Sequence, residues 1–312
     1  MHVFRKEKKF VLSARRNSFA SWVQFFLPLI VLVTIFLGAY YVVTRYQLTR
    51  PSLKNVYDDW ENRQYLAVYE ATSSILAKRP LDGTVLALHG FASYYLSIEQ
   101  TDSSASQDLL QETISSLRNA WYRVSERDKS QISYILGKAY YQRGFYYADL
   151  SMKYLDYAAA SHILYDDLDE FRGLSAALLG DYEKSNSAFI SALAKKPSDL
   201  LLFALSKNYI ATKEYEKARQ YLLETIRITN DDLLVMRCRY ELGILFLTES
   251  KIDEARIEFE SILEKDPNSA DAHYGLGVIY ESLGDLIKAR AEWRKTIKSN
   301  PIHVEARNKL NM

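Results

Sequence analysis

The side chains most able to do chemistry in this chain are five histidines and one cysteine, and their spacing favours neither a metal site nor a catalytic nucleophile. The histidines are His2, His89, His162, His273 and His303. None of them belongs to a His-Glu-x-x-His pattern, and Cys238 has no second cysteine for a disulfide or a metal site. Gly-rich phosphate loops and Gly-x-Ser-x-Gly motifs are also missing from the sequence. We therefore expect no enzymatic activity, cofactor or metal, and we expect Cys238 to be an inert, buried thiol.

The composition is that of a packed, soluble fold, with the basic residues gathered at the N-terminus. Apolar residues make up 48% of the 312 residues and charged residues 25%, which is ordinary for a globular protein. Residues 1–20 contain six basic side chains and one acidic side chain, and the rest of the chain is mildly acidic. Because nucleic-acid binding needs a basic patch on the folded part of a protein, we expect no nucleic-acid partner.

A 34-residue period runs through the last third of the chain. The recurring pairs are Gly243 and Gly277, Ala255 and Ala289, Phe259 and Trp293, and Pro267 and Pro301. Apolar residues within each half of the repeat are spaced three or four apart, as in amphipathic helices. A fixed period of this length is typical of stacked helical hairpins, which bury their apolar faces only against their neighbours. The sequence therefore predicts an all-α solenoid of antiparallel helix pairs.

The two regular units, residues 236–269 and 270–303, resemble the tetratricopeptide repeat (TPR) family. In that family's pattern, Leu-Gly followed by an aromatic residue marks the first helix, and Ala, an aromatic residue and a terminal Pro mark the second. Leu276-Gly277 with Tyr280 fits the first part, and the recurring pairs fit the second. Three further units fit with losses: residues 130–163, 166–199 and 199–232. The resemblance implies a TPR solenoid that binds other proteins.

Upstream of these units the repeat pattern thins. We interpret residues 52–128 as about two degenerate units, the first of which serves as a cap, with Gly90 as a first-helix glycine. The polar, Ser-rich stretch Gln100–Gln107 is longer than a repeat turn needs and is interpreted as a long connection. Small insertions are expected near Ser161 and Asn230, because the spacing between units varies there.

The resemblance also predicts where a partner would bind. In TPR proteins the first helices line a concave groove in which partner peptides or domains usually lie. At the position three residues before each first-helix glycine, or before the residue that replaces that glycine, most units carry an aromatic side chain. Such side chains can hold a peptide through apolar contact and phenolic hydrogen bonds. Glu170 is the exception, and two lysines follow one turn later. The predicted groove residues are Tyr134, Lys138, Phe203, Lys207, Tyr240 and Tyr274.

Two alternatives stay open for these residues. The rings can instead pack between neighbouring first helices as core, and the lysines can form an ordinary solvated face. TPR co-chaperones that clamp a C-terminal carboxylate use asparagines beside their basic residues, and this chain lacks those asparagines, which disfavours that ligand. A second group of aromatic residues surrounds Gly144, and some of its rings should be exposed: Tyr140, Tyr141, Phe145, Tyr146, Tyr147, Tyr154, Tyr157 and Tyr165.

Residues 21–44 contain no charged side chain and are predicted to form a single transmembrane helix. The apolar part, about 22 residues long at roughly 1.5 Å each, spans about 33 Å, enough to cross a bilayer. It is too long for a typical cleaved signal peptide. The basic residues of 1–20 outnumber those that follow the segment, which are Arg45, Arg50 and Lys54. The positive-inside rule therefore predicts a cytoplasmic N-terminus and, in a bacterium, periplasmic repeats.

The predicted organisation leaves no room for a catalytic domain. Its parts are a basic tail (1–20), the transmembrane helix (21–44), a linker (45–51), degenerate repeats (52–128), a five-unit TPR array (129–303) and a capping helix (304–312). We predict a scaffold in the bacterial inner membrane that binds protein or peptide partners, with a multi-protein envelope assembly as a possible setting. The alternatives are a chaperone-like holdase that serves secretion or envelope assembly, and a eukaryotic organelle receptor that faces the cytosol.

Overall fold

Helices account for all the regular structure in a computed structural model that describes residues 32–41, 52–161 and 163–311. No β-strand occurs in those ranges. The described residues fall into two compact units, one ending at Lys78 and the other starting at Arg79. The all-α prediction is thus confirmed for the described residues. The predicted basic tail, the linker 45–51 and most of the predicted transmembrane segment lie outside them.

The first unit contains one apolar helical segment and one helical hairpin. Residues 32–41 are helical, and every one of them is exposed. The hairpin pairs α1 (Leu53–Glu61) with α2 (Tyr65–Leu76) and buries Val56 and Val68. Within the part of the chain that the structure describes, no helix has the length and apolar character that crossing a membrane requires.

The second unit is a series of antiparallel helix pairs followed by one short helix. The pairs are α3 (Gly83–Glu99) with α4 (Ser103–Trp121), α5 (Glu126–Gln142) with α6 (Ala148–Ala159), α7 (Leu168–Leu178) with α8 (Tyr182–Lys195), α9 (Asp199–Ala211) with α10 (Tyr215–Ile228), α11 (Asp232–Thr248) with α12 (Ile252–Lys265), and α13 (Ala270–Ser282) with α14 (Leu286–Ser299). A 3₁₀ turn, Phe145–Tyr147, precedes α6, and α15 (Val304–Asn311) packs on α14. The five pairs from α5 to α14 span residues 126–299, and the predicted five-unit array spans residues 129–303.

A glycine on the first helix of five pairs receives a large side chain from the second helix. The facing residues are Gly90 and Leu117, Gly137 and Leu155, Gly173 and Phe189, Gly243 and Phe259, and Gly277 and Trp293. A Cβ atom at Gly90 would lie 2.6 Å from Leu117, so any larger residue would force the helices apart. Gly90 therefore allows α3 to pack closely on α4, as Gly243 allows α11 to pack closely on α12. This pair of the degenerate region thus follows the same packing rule as the regular repeats.

The turn inside each of the five pairs from α5 to α14 contains one residue with a positive φ angle. Gly144, Gly180 and Gly284 take this conformation with φ angles of 90°, 74° and 81°. In the pairs α9–α10 and α11–α12 the same place is occupied by Lys213 and Ser250, with φ angles of 62° and 60°. An L-residue with a side chain is strained in this region by about 1–2 kcal/mol relative to glycine. The turns beside α9 and α11 are therefore strained, whereas those beside α5 and α7 are not.

The interpretation of Gln100–Gln107 as a long connection is wrong. The helix α4 begins at Ser103, because the carboxylate of Asp102 accepts a hydrogen bond from the Ser104 amide at 2.8 Å and so caps the helix. Ser106 donates its hydroxyl to the carbonyl of Ser97 on α3 at 2.8 Å. The serines are thus helical, and one of them ties the pair together.

Irregular chain between repeats is concentrated in the segment between α6 and α7, where the structure describes residues 160–161 and 163–167. This agrees with the expected insertion near Ser161. Near Asn230 the connection is short, because α10 ends at Ile228 and α11 begins at Asp232. The additional residues there lengthen α11, which has 17 residues compared with 13 in α9.

Candidate partner-binding groove

The six predicted groove residues lie on first helices of the second unit, but the structure divides them among three places. Tyr134 and Lys138 on α5 lie in a closed cluster, and Tyr274 on α13 packs against the C-terminal helix. The other three line one open groove: Phe203, Lys207 and Tyr240.

This open groove lies across α9, α11 and α13 and has a volume of about 500 Å³. Its apolar lining comprises Phe203, Leu233, Met236, Tyr240 and Ile262. Leu233 is 67% exposed, whereas Ile262 is buried. The groove therefore has a fixed apolar floor and an accessible apolar rim, which suits a bulky side chain of a partner.

The two aromatic residues of the open groove are anchored in the core beneath it. Phe203 packs against the cluster of buried residues that includes Leu205 and Leu242. The ring centroid of Tyr240 lies 6.0 Å from that of Phe259, the residue that faces Gly243. Burial, with a contribution from the Asp271 carboxylate, raises the pKa of Tyr240, so its phenol remains a hydrogen-bond donor. Both rings thus belong partly to the core and partly to the groove.

Charged side chains line the open groove as well, in an uneven distribution. The Lys207 ammonium donates to the Glu241 carboxylate at 2.5 Å, and the Lys207 side chain is nevertheless 47% exposed. Arg237 is exposed and has no hydrogen-bond or ion-pair partner among the described residues. Asp266 and Asp271 lie on the side formed by the end of α12 and the start of α13.

At the equivalent position on α5, the space is filled by the segment between α6 and α7. The Tyr165 ring stacks on Tyr134 with centroids 4.2 Å apart and planes 12° apart. The Tyr134 hydroxyl donates to the Asp167 carboxylate, and the Lys138 ammonium donates to the same carboxylate at 2.7 Å. Ser130 and the Tyr165 hydroxyl are 3.0 Å apart, within hydrogen-bond distance. This closed cluster satisfies the polar groups of α5 from within the chain.

Aromatic rings complete the enclosure of Lys138. Its ammonium lies 4.5 Å from the ring centroid of Phe171, 4.9 Å from that of Tyr134 and 5.8 Å from that of Tyr94. Only 12% of the Lys138 side chain is exposed. Burial first, and the Asp167 carboxylate second, raise the pKa of Tyr134. A partner could reach Lys138 only after this cluster had opened.

Tyr274 contacts the end of the solenoid. Its ring centroid is 4.8 Å from the imidazole of His303, and it packs beside Trp293 and Ala306 of the terminal core cluster. For this residue the geometry favours the alternative in which the aromatic rings form core between neighbouring first helices.

The second aromatic group divides into buried and exposed rings, as expected. Tyr140 is 3% exposed, whereas Tyr146 is 88% exposed. Cys238 is buried, as predicted, and burial raises the pKa of its thiol to about 12. In the described ranges no group of three or more His, Cys, Asp or Glu side chains is placed to bind a metal ion.

Sequence reasoning overlooked four charged groove residues, which are Arg237, Asp271, Glu241 and Asp266, and it overlooked the filling of the α5 site. Arg237 stands three residues before Tyr240 on α11, and Asp271 stands three residues before Tyr274 on α13. That spacing, one helical turn earlier, is a signal that could have identified the first two. The stacking of Tyr165 on Tyr134 depends on the path of an irregular segment and leaves no such signal.

Comparisons with known proteins support the arrangement of these helices in repeated pairs. Residues 240–301 match the model of the tetratricopeptide repeat family. The matched residues lie in the last two helix pairs, α11 with α12 and α13 with α14, which carry Tyr240 and Tyr274.

The regulatory protein RapD of Bacillus subtilis (strain 168) is 38% identical to this chain over 90 residues, 27% of the chain and 25% of RapD. The chain thus spans a quarter of the length of this curated relative. Among solved structures, the C-terminal part of a TPR repeat-containing protein from Cytophaga hutchinsonii is similar over 84% of this chain and 100% of its own. The TM-score is 0.60 at 17% identity, which shows a common TPR-like solenoid fold. YrrB, a TPR protein with an unusual peptide-binding site, has a TM-score of 0.48 at 19% identity over 63% of this chain and 98% of its own.

Proposed function

We propose that this chain is a membrane-tethered TPR scaffold that binds partner proteins at the extracytoplasmic face of a bacterial cytoplasmic membrane, and that it is not an enzyme. The observation that carries the binding proposal is the open groove on α9, α11 and α13. It combines about 500 Å³ of space, an apolar floor and charged side chains that are available at its rim. These are the features of a site for a protein segment.

The form of the open groove favours a particular partner over a broad range of unfolded clients. A holdase needs a wide, mainly apolar surface, whereas Lys207, Arg237 and Asp271 give this groove a defined charge pattern. Charges arranged in this way improve discrimination between partners more than they improve general affinity. We therefore favour the scaffold over the holdase.

Membrane tethering is supported by the sequence of residues 21–44 and by the character of the helix at 32–41. Its exposed side chains include Leu32, Ile35, Phe36 and Leu37. Large exposed apolar surface is unfavourable in water and marks contact with a partner or a membrane. The basic residues before this segment support a cytoplasmic N-terminus.

Cross-linking in cells tests the binding proposal. A photoreactive phenylalanine analogue at Leu233 would lie in the open groove without disturbing the core, because Leu233 is 67% exposed. The matched control is Ile287 on α14, which is 85% exposed and does not line the groove. We expect one stoichiometric protein adduct from position 233 and none from position 287. No adduct, or a broad mixture at both positions, would contradict the scaffold.

Membrane extraction and protease accessibility test the tether and its orientation. We expect the full chain to stay in the membrane at alkaline pH and to be released by detergent. Protease added to spheroplasts should digest the repeats. Release at alkaline pH would contradict the tether, and protection of the repeats in intact spheroplasts would contradict the orientation.

A further inference from the structure

The closed cluster on α5 and the open groove share the same pair of positions on a first helix. Tyr134 and Phe203 each stand three residues before the small residue that packs on the second helix, Gly137 in one case and Ser206 in the other. Lys138 and Lys207 follow four residues later, on the same face of the helix. The two sites therefore offer an aromatic ring and an ammonium group in the same arrangement.

At α5 these two positions are occupied by other residues of the same chain. Tyr165 supplies a ring that stacks on Tyr134, and Asp167, two residues later, supplies the carboxylate that the Lys138 ammonium contacts at 2.7 Å. Both residues belong to the irregular segment before α7, which begins only at Leu168. An aromatic residue followed two positions later by an acidic residue is therefore a chemistry that this pair of positions accepts.

Among the described residues, the open groove has no counterpart of the Tyr165 ring. The helix α11 begins at Asp232, so the chain opposite Phe203 is already helical. Within the described residues no aromatic ring stacks on Phe203, and the Lys207 side chain is 47% exposed compared with 12% for Lys138. The space that the Tyr165 ring fills at α5 is thus available at α9, where the carboxylate on Lys207 comes from Glu241 of α11.

The charges of the open groove give such an occupant a direction. Lys207 and Arg237 lie on α9 and α11, and Glu241 offsets only one of these two positive charges. Asp266 and Asp271 leave the α13 side negative. An incoming carboxylate is therefore attracted to the Lys207 and Arg237 side and repelled from the α13 side.

We propose that the open groove binds a segment of its partner protein that presents an aromatic side chain and, two residues later, a carboxylate. The aromatic ring packs on Phe203 and Tyr240, and the carboxylate binds Lys207 and Arg237 in the way that Asp167 binds Lys138. This proposal rests on the proposed partner-binding function and specifies the chemistry of the partner.

The chain itself supplies the probe. A labelled synthetic peptide with the sequence of residues 160–168 contains both Tyr165 and Asp167, and its binding to the detergent-solubilised full chain can be followed by fluorescence anisotropy. We expect saturable binding that weakens about tenfold when the peptide carries Tyr165→Ala or Asp167→Asn, because each change removes one of the two recognised groups. Unchanged binding of both variant peptides would overturn the proposal.

Variants of the full chain locate the binding site. Lys207→Ala should weaken peptide binding about tenfold, because a charge-assisted hydrogen bond is lost. Glu241→Gln should strengthen binding about threefold, since the internal carboxylate then no longer competes for Lys207. A residue with a merely structural role would not give this gain. The matched control Lys217→Ala, on α10, should leave binding unchanged.

Three results would overturn the proposal. The first is that the peptide does not bind, and the second is that it binds equally well to Lys207→Ala. The third is that binding is lost in Lys138→Gln but not in Lys207→Ala, which would mean that the peptide exchanges with its own segment at α5. If the adduct from position 233 forms nevertheless, the groove binds a partner and only the recognised chemistry is wrong. If that adduct is missing, the proposed function itself fails.

Discussion

Lys138 and Lys207 occupy the same position in two repeats and meet opposite surroundings. Lys138 is enclosed by three aromatic rings and held by Asp167, with 12% of its side chain exposed. Lys207 is paired with Glu241 at the rim of an open groove and is 47% exposed. The difference arises from the groups around each lysine, because the chain before α7 supplies Asp167 and the helices α3 and α7 supply two of the rings around Lys138. A solenoid can therefore keep one pattern of side chains and open or close the sites that it forms.

The largest expected contrast is between the two acidic partners. Asp167→Ala leaves Lys138 and the Tyr134 hydroxyl without their acceptor in a mostly buried cluster, which should cost about 2–3 kcal/mol of unfolding free energy. The matched change Glu241→Ala removes the partner of an exposed lysine and should cost less than about 1 kcal/mol. Chemical denaturation of the full chain in detergent, followed by circular dichroism, measures both. Equal costs would mean that the two sites do not differ in enclosure.

The repeat architecture could be predicted from the sequence because it depends on local spacing. The separation along the sequence between Gly243 and Phe259 is the same as that between Gly277 and Trp293. In both helix pairs the glycine packs against the aromatic ring. The prediction failed at Gln100–Gln107, because a polar composition was given more weight than the capping residue Asp102. The Ser104 amide donates a hydrogen bond to the Asp102 carboxylate, which caps α4 inside that serine-rich stretch.

The candidate site was predictable only in part, for a related physical reason. The positions of Phe203, Lys207 and Tyr240 on first helices follow from periodicity, and these three residues do share a groove. The enclosure of Lys138 does not follow from periodicity, because Tyr165 lies in irregular chain whose path is set by tertiary contacts. A stacked ring and a shared carboxylate have no signature in residue spacing.

The next largest effect should come from Tyr165. Tyr165→Ala removes the ring stacked on Tyr134 and leaves a gap at the surface, which should destabilise the chain by about 1–2 kcal/mol. It should also loosen Tyr134, one of the three rings around Lys138, so that Lys138 reacts faster with an amine reagent than in the unaltered chain. Mass spectrometry of the labelled protein gives the reactivity of each lysine. The substitution Tyr157→Ala, at a ring that is 40% exposed, is the control and should leave the reactivity of Lys138 unchanged.

A smaller effect should distinguish the turns of the two regions. The turns after α5 and α7 contain glycine at the positive-φ residue, whereas Lys213 occupies that place after α9. Lys213→Gly should therefore stabilise the chain by about 0.5–1 kcal/mol, because the relief of strain exceeds the entropy cost of glycine. Gly180→Lys is the matched reverse change and should destabilise by a similar amount. The unfolding midpoints of both variants check this, and a loss of stability in Lys213→Gly would contradict the strain argument.

The smallest effect concerns Glu170, which stands three residues before Gly173, where the other units carry an aromatic residue. Burial first, and the Asp167 carboxylate second, raise the pKa of Glu170 above its usual range. An acid whose pKa is higher in the folded state loses stability as the pH rises through the window from the unfolded to the folded pKa. Glu170→Gln should therefore raise the unfolding midpoint slightly at pH 7 and leave it unchanged below the unfolded pKa. A midpoint that falls at pH 7 would contradict the assigned cause.

The most direct test of the contrast between the two sites is competitive amine labelling of the full chain in detergent, with Lys138 and Lys207 compared in one sample. Because the Asp167 carboxylate and three rings enclose Lys138, we expect Lys207 to react severalfold faster, and we expect Tyr165→Ala to reduce that difference because Tyr134 loses the ring stacked on it. Equal rates in the unaltered chain, or a faster reaction of Lys138, would contradict the conclusion that one site is closed and the other open.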